Sequence, residues 1–212
     1  MRKLFLLVLA ISLFAACNKD KTNPQEESNY FPMQIGNYWV YQHYNIDSLG
    51  NETDMNKTDS VIIKRDTIIN NKQYFVLEGT NYPYNGNRWE ILDYLRDSSG
   101  YLVNINGVIK CSNNNFSDTL LSKTEIIGED TLFVLTYQME ESLNPIIVPA
   151  GEFEAINFKG TVVMPKDQPG IQNTRFMNNY YADGIGKIID TYFFLSSSFI
   201  NEKRLVRYNI EN

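Results

Sequence analysis

From Tyr30 to the end of the chain, no stretch of helical length carries apolar residues at i, i+3, i+4 and i+7, whereas two-residue alternation recurs throughout. That one pattern restricts the chain to pleated structure. The runs are rich in β-branched and aromatic residues: Tyr38–Tyr44, Ser60–Ile69, Gln73–Glu78, Arg88–Arg96, Tyr101–Ile109, Thr119–Ile127 and Thr131–Tyr137. Glu152–Phe158, Thr161–Met164, Phe176–Ala182, Lys187–Leu195 and Arg204–Ile210 continue the series. Between them stand Asn70-Asn71-Lys72, Asn85-Gly86-Asn87, Ser98-Ser99-Gly100, Asn113-Asn114-Asn115, Gly128-Glu129-Asp130 and Asn201-Glu202-Lys203, groups whose Asn and Gly tolerate the positive φ of tight turns. Connections this short join antiparallel neighbours, because a parallel crossover needs a dozen or more residues. The expectation is a mainly β fold with little helix, a single antiparallel meander. So long a sheet must curl into an open or half barrel, or else split into a β-sandwich or close as a lipocalin-like barrel, to deal with its edges.

The 212 residues suit one domain of this kind, and a hydrophobic content of 43% excludes wholesale disorder. A formal charge of −6 offers no basic surplus for phosphate, so no nucleic-acid partner is expected. One His and two Cys leave no metal site, Fe–S cluster or disulfide framework to assign, and no cofactor is expected.

The N-terminus has its own logic. Arg2 and Lys3 precede an unbroken apolar run, Leu4–Leu13, which is too short to span a bilayer and ends in Phe14-Ala15-Ala16-Cys17. Residues 1–16 therefore read as a signal peptide, 17–29 as a polar, Pro-containing tether, and 30–212 as a single β domain. The Phe14–Cys17 tetrapeptide resembles the lipobox of bacterial lipoproteins, with Phe14 where Leu is usual. The resemblance implies that Cys17 is acylated and becomes the first mature residue, mooring the protein to a membrane through its lipid; two or three acyl chains suffice for that. Cys17-Asn18-Lys19-Asp20 resembles the export signal of Bacteroidota surface lipoproteins, interrupted here by Lys21. It implies an outer-membrane protein facing the cell surface, with a periplasmic orientation as the alternative.

Two further passages carry a resemblance. Tyr30–Tyr41 resembles an "FP-x-x-x-G-N-x-W-x-Y" opening seen in exported lipoproteins. Pro149-Ala150-Gly151-Glu152-Phe153, with Tyr180-Tyr181-Ala182-Asp183-Gly184-Ile185-Gly186, resembles the "PAG-x-F … YYA-x-GIG" pattern of Bacteroidota-type exported lipoproteins. Those are similar in architecture to the lipoprotein-carrier-like (LolA-like) proteins, whose incompletely closed barrel holds acyl chains. The resemblance supplies no catalytic residues. Gly184 and Gly186 read as a tight bend, and no third Gly or helix start makes a dinucleotide cradle of them.

The chemistry-bearing residues are few. His43 is the sole imidazole, and alternation sets it on one strand face with Trp39 and Tyr41. These three, with Trp89, are candidates to face a ligand in a cavity, or to be plain core packing. Both tryptophans also suit a stacking platform for sugars. Glu152 and Glu154, two apart on a strand, are the one carboxylate pair with glycosidase-like spacing, and solvated acids are the simpler reading. Asp93, Asp97, Asp183 and Asp190 read as strand-edge or turn acids. Once Cys17 is acylated, Cys111 is the remaining thiol, read as half-buried and inert, with an intermolecular link or a reactive thiol as the alternative. Five Asp-Ser/Thr-aliphatic triplets resemble the O-glycosylation acceptor of exported Bacteroidota proteins, which implies Ser48, Ser60, Thr67, Thr119 and Thr131 as attachment points. An Asp turn leading into a strand produces the same triplet. The function expected is that of a membrane-anchored, non-catalytic lipoprotein binding an apolar ligand or a partner protein at the envelope. A surface glycan-binding accessory protein is the alternative, and a glycoside hydrolase the remote one.

Overall fold

The computed structural model describes residues 28–165 and 171–211. The leader, Cys17 and nearly all of the tether lie outside the described residues. Fifteen strands follow in order: β1 (Tyr38–Ile46), β2 (Glu52–Ile69), β3 (Lys72–Asn81), β4 (Gly86–Asp97), β5 (Tyr101–Asn104), β6 (Ile109–Ser112), β7 (Leu121–Ile127) and β8 (Asp130–Glu141). The remainder are β9 (Ile146–Val148), β10 (Gly151–Phe153), β11 (Ala155–Val163), β12 (Thr174–Met177), β13 (Asn179–Ala182), β14 (Gly186–Tyr192) and β15 (Ile200–Asn209). Every pairing is antiparallel.

Thirteen strands make one sheet in the order β6-β5-β4-β3-β2-β1-β15-β14-β13-β11-β8-β7, with β12 alongside β11. The first strand thus pairs with the last, and the sheet curls almost into a barrel with one unsealed seam. Across the seam β6 meets its neighbours through side chains rather than a ladder. The Tyr181 hydroxyl donates to the Lys110 carbonyl at 3.2 Å, and the Ser112 N–H points to the Met139 sulfur at 3.3 Å. Outside this sheet, the β9–β10 hairpin covers the part of β15 beyond the reach of β14, where the Ala150 N–H donates to the Leu205 carbonyl at 3.0 Å.

Local sequence explains most of the turns. Asn70 and Asn71 take φ of 51° and 59°, the two-residue hairpin geometry that joins β2 to β3. Four expected runs are interrupted. Tyr101–Ile109 divides into β5 and β6, because the Asn104 side chain accepts the N–H groups of Asn106 and Val108 and Gly107 takes φ of 76°. Phe176–Ala182 divides at Asn178 into β12 and β13, and Glu152–Phe158 divides at Glu154. Lys187–Leu195 stops at Tyr192, where the buried Arg175 guanidinium donates to the carbonyls of Phe194, Ser197 and Phe199 and organises the loop before β15.

Two expectations need correction. Asn201-Glu202-Lys203 is no turn but the start of β15, with Asn201 and Lys203 buried opposite Asn45 and His43. In addition β2 begins at Glu52 rather than Ser60, because its polar first half pairs with β1 while exposing most of its side chains.

Two apolar clusters fill the structure. One gathers Trp39, Tyr41, Ile63, Val148, Ile188 and Leu205; the other gathers Phe31, Leu95, Leu102, Cys111, Met139 and Phe158. Between them the barrel is not filled.

Candidate functional site

Inside the barrel lies a cavity of about 330 Å³ with two chemically distinct walls. Trp39, Val61, Ile63, Leu77, Leu95 and Leu102, from β1 to β5, form the apolar side; Asp59, Lys110, Lys187, Asp190 and Lys203 form the polar side. The segment Tyr30–Met33 lines it as well, and a wider open groove of about 1020 Å³ lies across that same segment. The segment is stitched down by the Asn37 amide, which donates to the Pro32 carbonyl at 2.8 Å, and by the Gly184 N–H, which donates to the Asn29 carbonyl at 2.9 Å.

Alternation carries Trp39, Tyr41 and His43 to the inner face of β1, and the register with β15 shifts by one residue between Val40 and Tyr41. The Trp39 indole N–H donates to the Ile185 carbonyl at 2.7 Å and the Tyr41 hydroxyl to the Lys187 carbonyl at 2.9 Å, so both rings present apolar faces to the cavity.

The polar wall is a chain of paired charges. Asp59 receives the Tyr82 N–H on Oδ1 at 2.9 Å; on Oδ2 it meets His43 Nε2 at 2.8 Å and Lys203 Nζ at 3.2 Å. Lys203 also reaches Asn81 Oδ1 at 2.6 Å and Asp190 Oδ2 at 3.9 Å. Asp190 Oδ1 in turn takes a bond from Lys187 Nζ at 3.0 Å, and Lys187 also donates to Asn179 at 3.1 Å. At the seam, Lys110 lies 3.4 Å from Asp93.

Burial disfavours the charges of Asp59, Asp190 and Lys187, and their neighbours outweigh it. Burial pushes the Asp59 carboxyl up, but the His43 and Tyr82 bonds with the Lys203 charge bring it down to about 2. Against the same desolvation, Lys187 and Lys203 hold Asp190 below the ordinary carboxylate range, and Asp190 holds Lys187 above the ordinary lysine value. Burial raises the Tyr41 and Tyr181 phenols, keeping both as neutral donors.

The structure separates the sequence candidates. Trp39 and Tyr41 line the cavity; His43 stands behind its wall, fully enclosed, with Nδ1 3.3 Å from the Tyr192 hydroxyl. Trp89 is elsewhere, 53% exposed on β4. The readings of Asp93 and Asp190 as strand-edge or turn acids are corrected, since they sit within β4 and β14 and line the cavity. Glu152 and Glu154 share no strand face: Glu152 belongs to β10, Glu154 falls in the break before β11, and both are exposed. Cys111 is fully rather than half buried, and burial pushes its thiol up to about 12. Among the acceptor candidates, Ser48 and Thr119 are exposed and Ser60, Thr67 and Thr131 half-buried; the acid of the Ser60 triplet is the enclosed Asp59. Among the described residues no group of three His, Cys, Asp or Glu side chains is placed to hold a metal ion.

Sequence reasoning missed Lys110, Lys187, Lys203 and the role of Asp59 in the polar wall. The available signal was the continuation of alternation backwards from Leu205 through Lys203 to Asn201, opposite Tyr41, His43 and Asn45.

No family model matches the chain, and no curated protein matches it. Among solved structures, it is similar to a candidate exported protein with a YmcC-like fold from Bacteroides fragilis, at 13% identity and a TM-score of 0.50, over 86% of this chain and all of that one (100%). A candidate lipoprotein from Parabacteroides distasonis aligns at 13% identity with a TM-score of 0.44, over 87% of this chain and 100% of that one. At this identity the first likeness concerns the fold alone, and it agrees with the curled antiparallel sheet.

Proposed function

We propose that the protein is an exported lipoprotein, anchored through Cys17 to the outer membrane and facing the cell surface, whose barrel binds a single small apolar or amphipathic ligand without transforming it. The observation that carries this reading is the two-walled lumen. Its volume falls within the range that holds small molecules, and its apolar side is lined by rings and aliphatic chains whose polar atoms are already bonded. The leader pattern supports the anchor, and the likeness to an exported Bacteroides protein favours the envelope. The absence of chemistry is supported by His43, whose ring nitrogens face Asp59 and Tyr192 inside the wall rather than a nucleophile open to a substrate.

Native mass spectrometry of protein taken from host membranes tests both parts. The expected protein carries acyl chains on Cys17 and a small molecule that leaves on denaturation, and the Cys17→Ser variant moves to the soluble fraction. An unmodified Cys17 removes the anchor, and an empty lumen in membrane-purified protein removes the ligand.

Glycan binding survives only through Trp89, 53% exposed, because Trp39 is enclosed. The expected result on a glycan array is no retention. A hit that disappears in Trp89→Ala would replace the lumen reading with a surface platform.

A further inference from the structure

The curled sheet ends in an edge that no other strand covers. Among the described residues β7 pairs with β8 alone, and it is the last strand of the sheet order. β6 approaches β8 farther along, at Met139, beyond Tyr137, where the pairing with β7 begins. Outside the β7–β8 ladder, no backbone–backbone hydrogen bond among the described residues engages β7. Its outward N–H and C=O groups are therefore a template for another strand.

The side chains of β7 select that strand. Alternation puts Leu121, Lys123, Glu125 and Ile127 on one face, and Ser122, Thr124 and Ile126 on the other. The register shift beside Glu125 adds its extra residue, Leu132, to β8, so β7 itself keeps the alternation. Lys123 and Glu125 pair along the strand at 2.9 Å with 61% and 41% of their side-chain surface exposed, and Ile126 and Ile127 are 58% and 64% exposed.

We infer that β7 pairs antiparallel with β7 of a second copy of this chain, about a two-fold axis at Thr124. Such an axis must pass through a residue, because only then does each side chain meet one on its own face. An axis at Lys123 would set Lys123 against Lys123, and one at Glu125 would set Glu125 against Glu125; like charges directly opposite repel. With the axis at Thr124, each Lys123 faces the second copy's Glu125, and the four charges alternate in sign around a square. The same register sets Leu121 opposite the second copy's Ile127 and Ser122 opposite its Ile126, and it overlaps the whole strand. A lone lysine on an edge discourages pairing, but a lysine two residues from a glutamate is complementary to its own copy.

Sedimentation velocity of the Cys17→Ser protein, which carries no lipid, tests the pairing from about 1 to 300 µM. A single strand pair buries too little surface for a tight complex, so a dimer of micromolar affinity is expected. Lys123→Glu and Glu125→Lys are each expected to weaken it by about tenfold, since two attractive pairs become repulsive, and the double variant to return it to within about threefold of the parent. Both side chains are exposed, so the reversals read the contact between copies rather than the fold. Diamide oxidation of Thr124→Cys in the same background is expected to link two copies through that residue, because Cys111 is fully buried; Ser122→Cys, set opposite Ile126, is expected to stay unlinked. A monomer at every concentration overturns the proposal and leaves the edge to a strand of a different protein. A dimer indifferent to both charge reversals, or unlinked in Thr124→Cys, overturns the assignment to β7. A species larger than a dimer overturns the two-fold axis.

Discussion

Asp59→Asn lowers the unfolding free energy by about 3 kcal/mol at neutral pH, the size expected when one member of a buried charge cluster is removed. Asp59 is the hub of the polar wall. Its side chain is 2% exposed, and it ties β2 to β1 through His43, to β15 through Lys203 and to the end of β3 through the Tyr82 N–H. The amide keeps the shape but removes the charge that compensates Lys203 in a poorly solvated site. The pH dependence follows from the direction of the shift. The carboxyl is held at about 2 in the folded protein against 3.8 unfolded, so its contribution is complete above about pH 4 and is lost as pH falls toward 2. By the free energy per unit of pKa difference, the loss across that window is on the order of 2 kcal/mol. Urea unfolding at pH 7, 4 and 2.5 measures both effects: wild type should lose stability between the two lower values, and Asp59→Asn should lack that component. A variant within about 0.5 kcal/mol of wild type at pH 7 would mean that the cluster contributes little.

Gly79→Ala costs about 2 to 3 kcal/mol, with a fall of roughly 5 to 10 °C in melting temperature, although alanine in a strand interior is ordinarily the better residue. Gly79 lies in β3 opposite Val61, and a Cβ there would stand 1.9 Å from the Ser60 carbonyl oxygen and 2.9 Å from its carbon. Both are backbone atoms of β2, so no side-chain rotation relieves the contact. The crowding arises where β3 shifts register against β4 at Leu77/Glu78 and again at Gly79/Asn81, bending the strand around the lumen. Ser60 is the next residue after Asp59, so a push on β2 at this point also disturbs the charged wall. Thermal unfolding followed by circular dichroism decides the matter. If Gly79→Ala melts at or above the wild-type temperature, the close approach does not exist in solution.

Much of the fold is legible from the residues. The aromatic alternation of Tyr38–Tyr44 is β1, the Asn70-Asn71 pair is the β2–β3 hairpin, and the Gly184 and Gly186 bend joins β13 to β14. The site is legible only at Trp39 and Tyr41. His43 shares their face yet is sealed behind the wall, and Trp89, identical in type to Trp39, points to solvent. Where neighbouring strand positions are aromatic on both sides, a two-residue period states that faces differ without stating which one is inside.

What the amino-acid order determines by itself is therefore local: extended backbone, the positions of tight turns and the antiparallel sense of neighbours. Each of these depends on φ preferences and spacing within a few residues. What only the tertiary structure decides is the closure of the sheet, through β1 meeting β15, the burial of Asp59 and Lys203, and the placing of Asp190 and Lys187 on the lumen wall. A charged side chain far from water is tolerated only when its counter-charges arrive with it, and here the central pair, Asp59 and Lys203, joins strands from opposite ends of the chain, with His43 and Asp190 arriving on the strand next to each. Hydropathy reads such residues as surface; the pairing between distant strands is what makes them a lining.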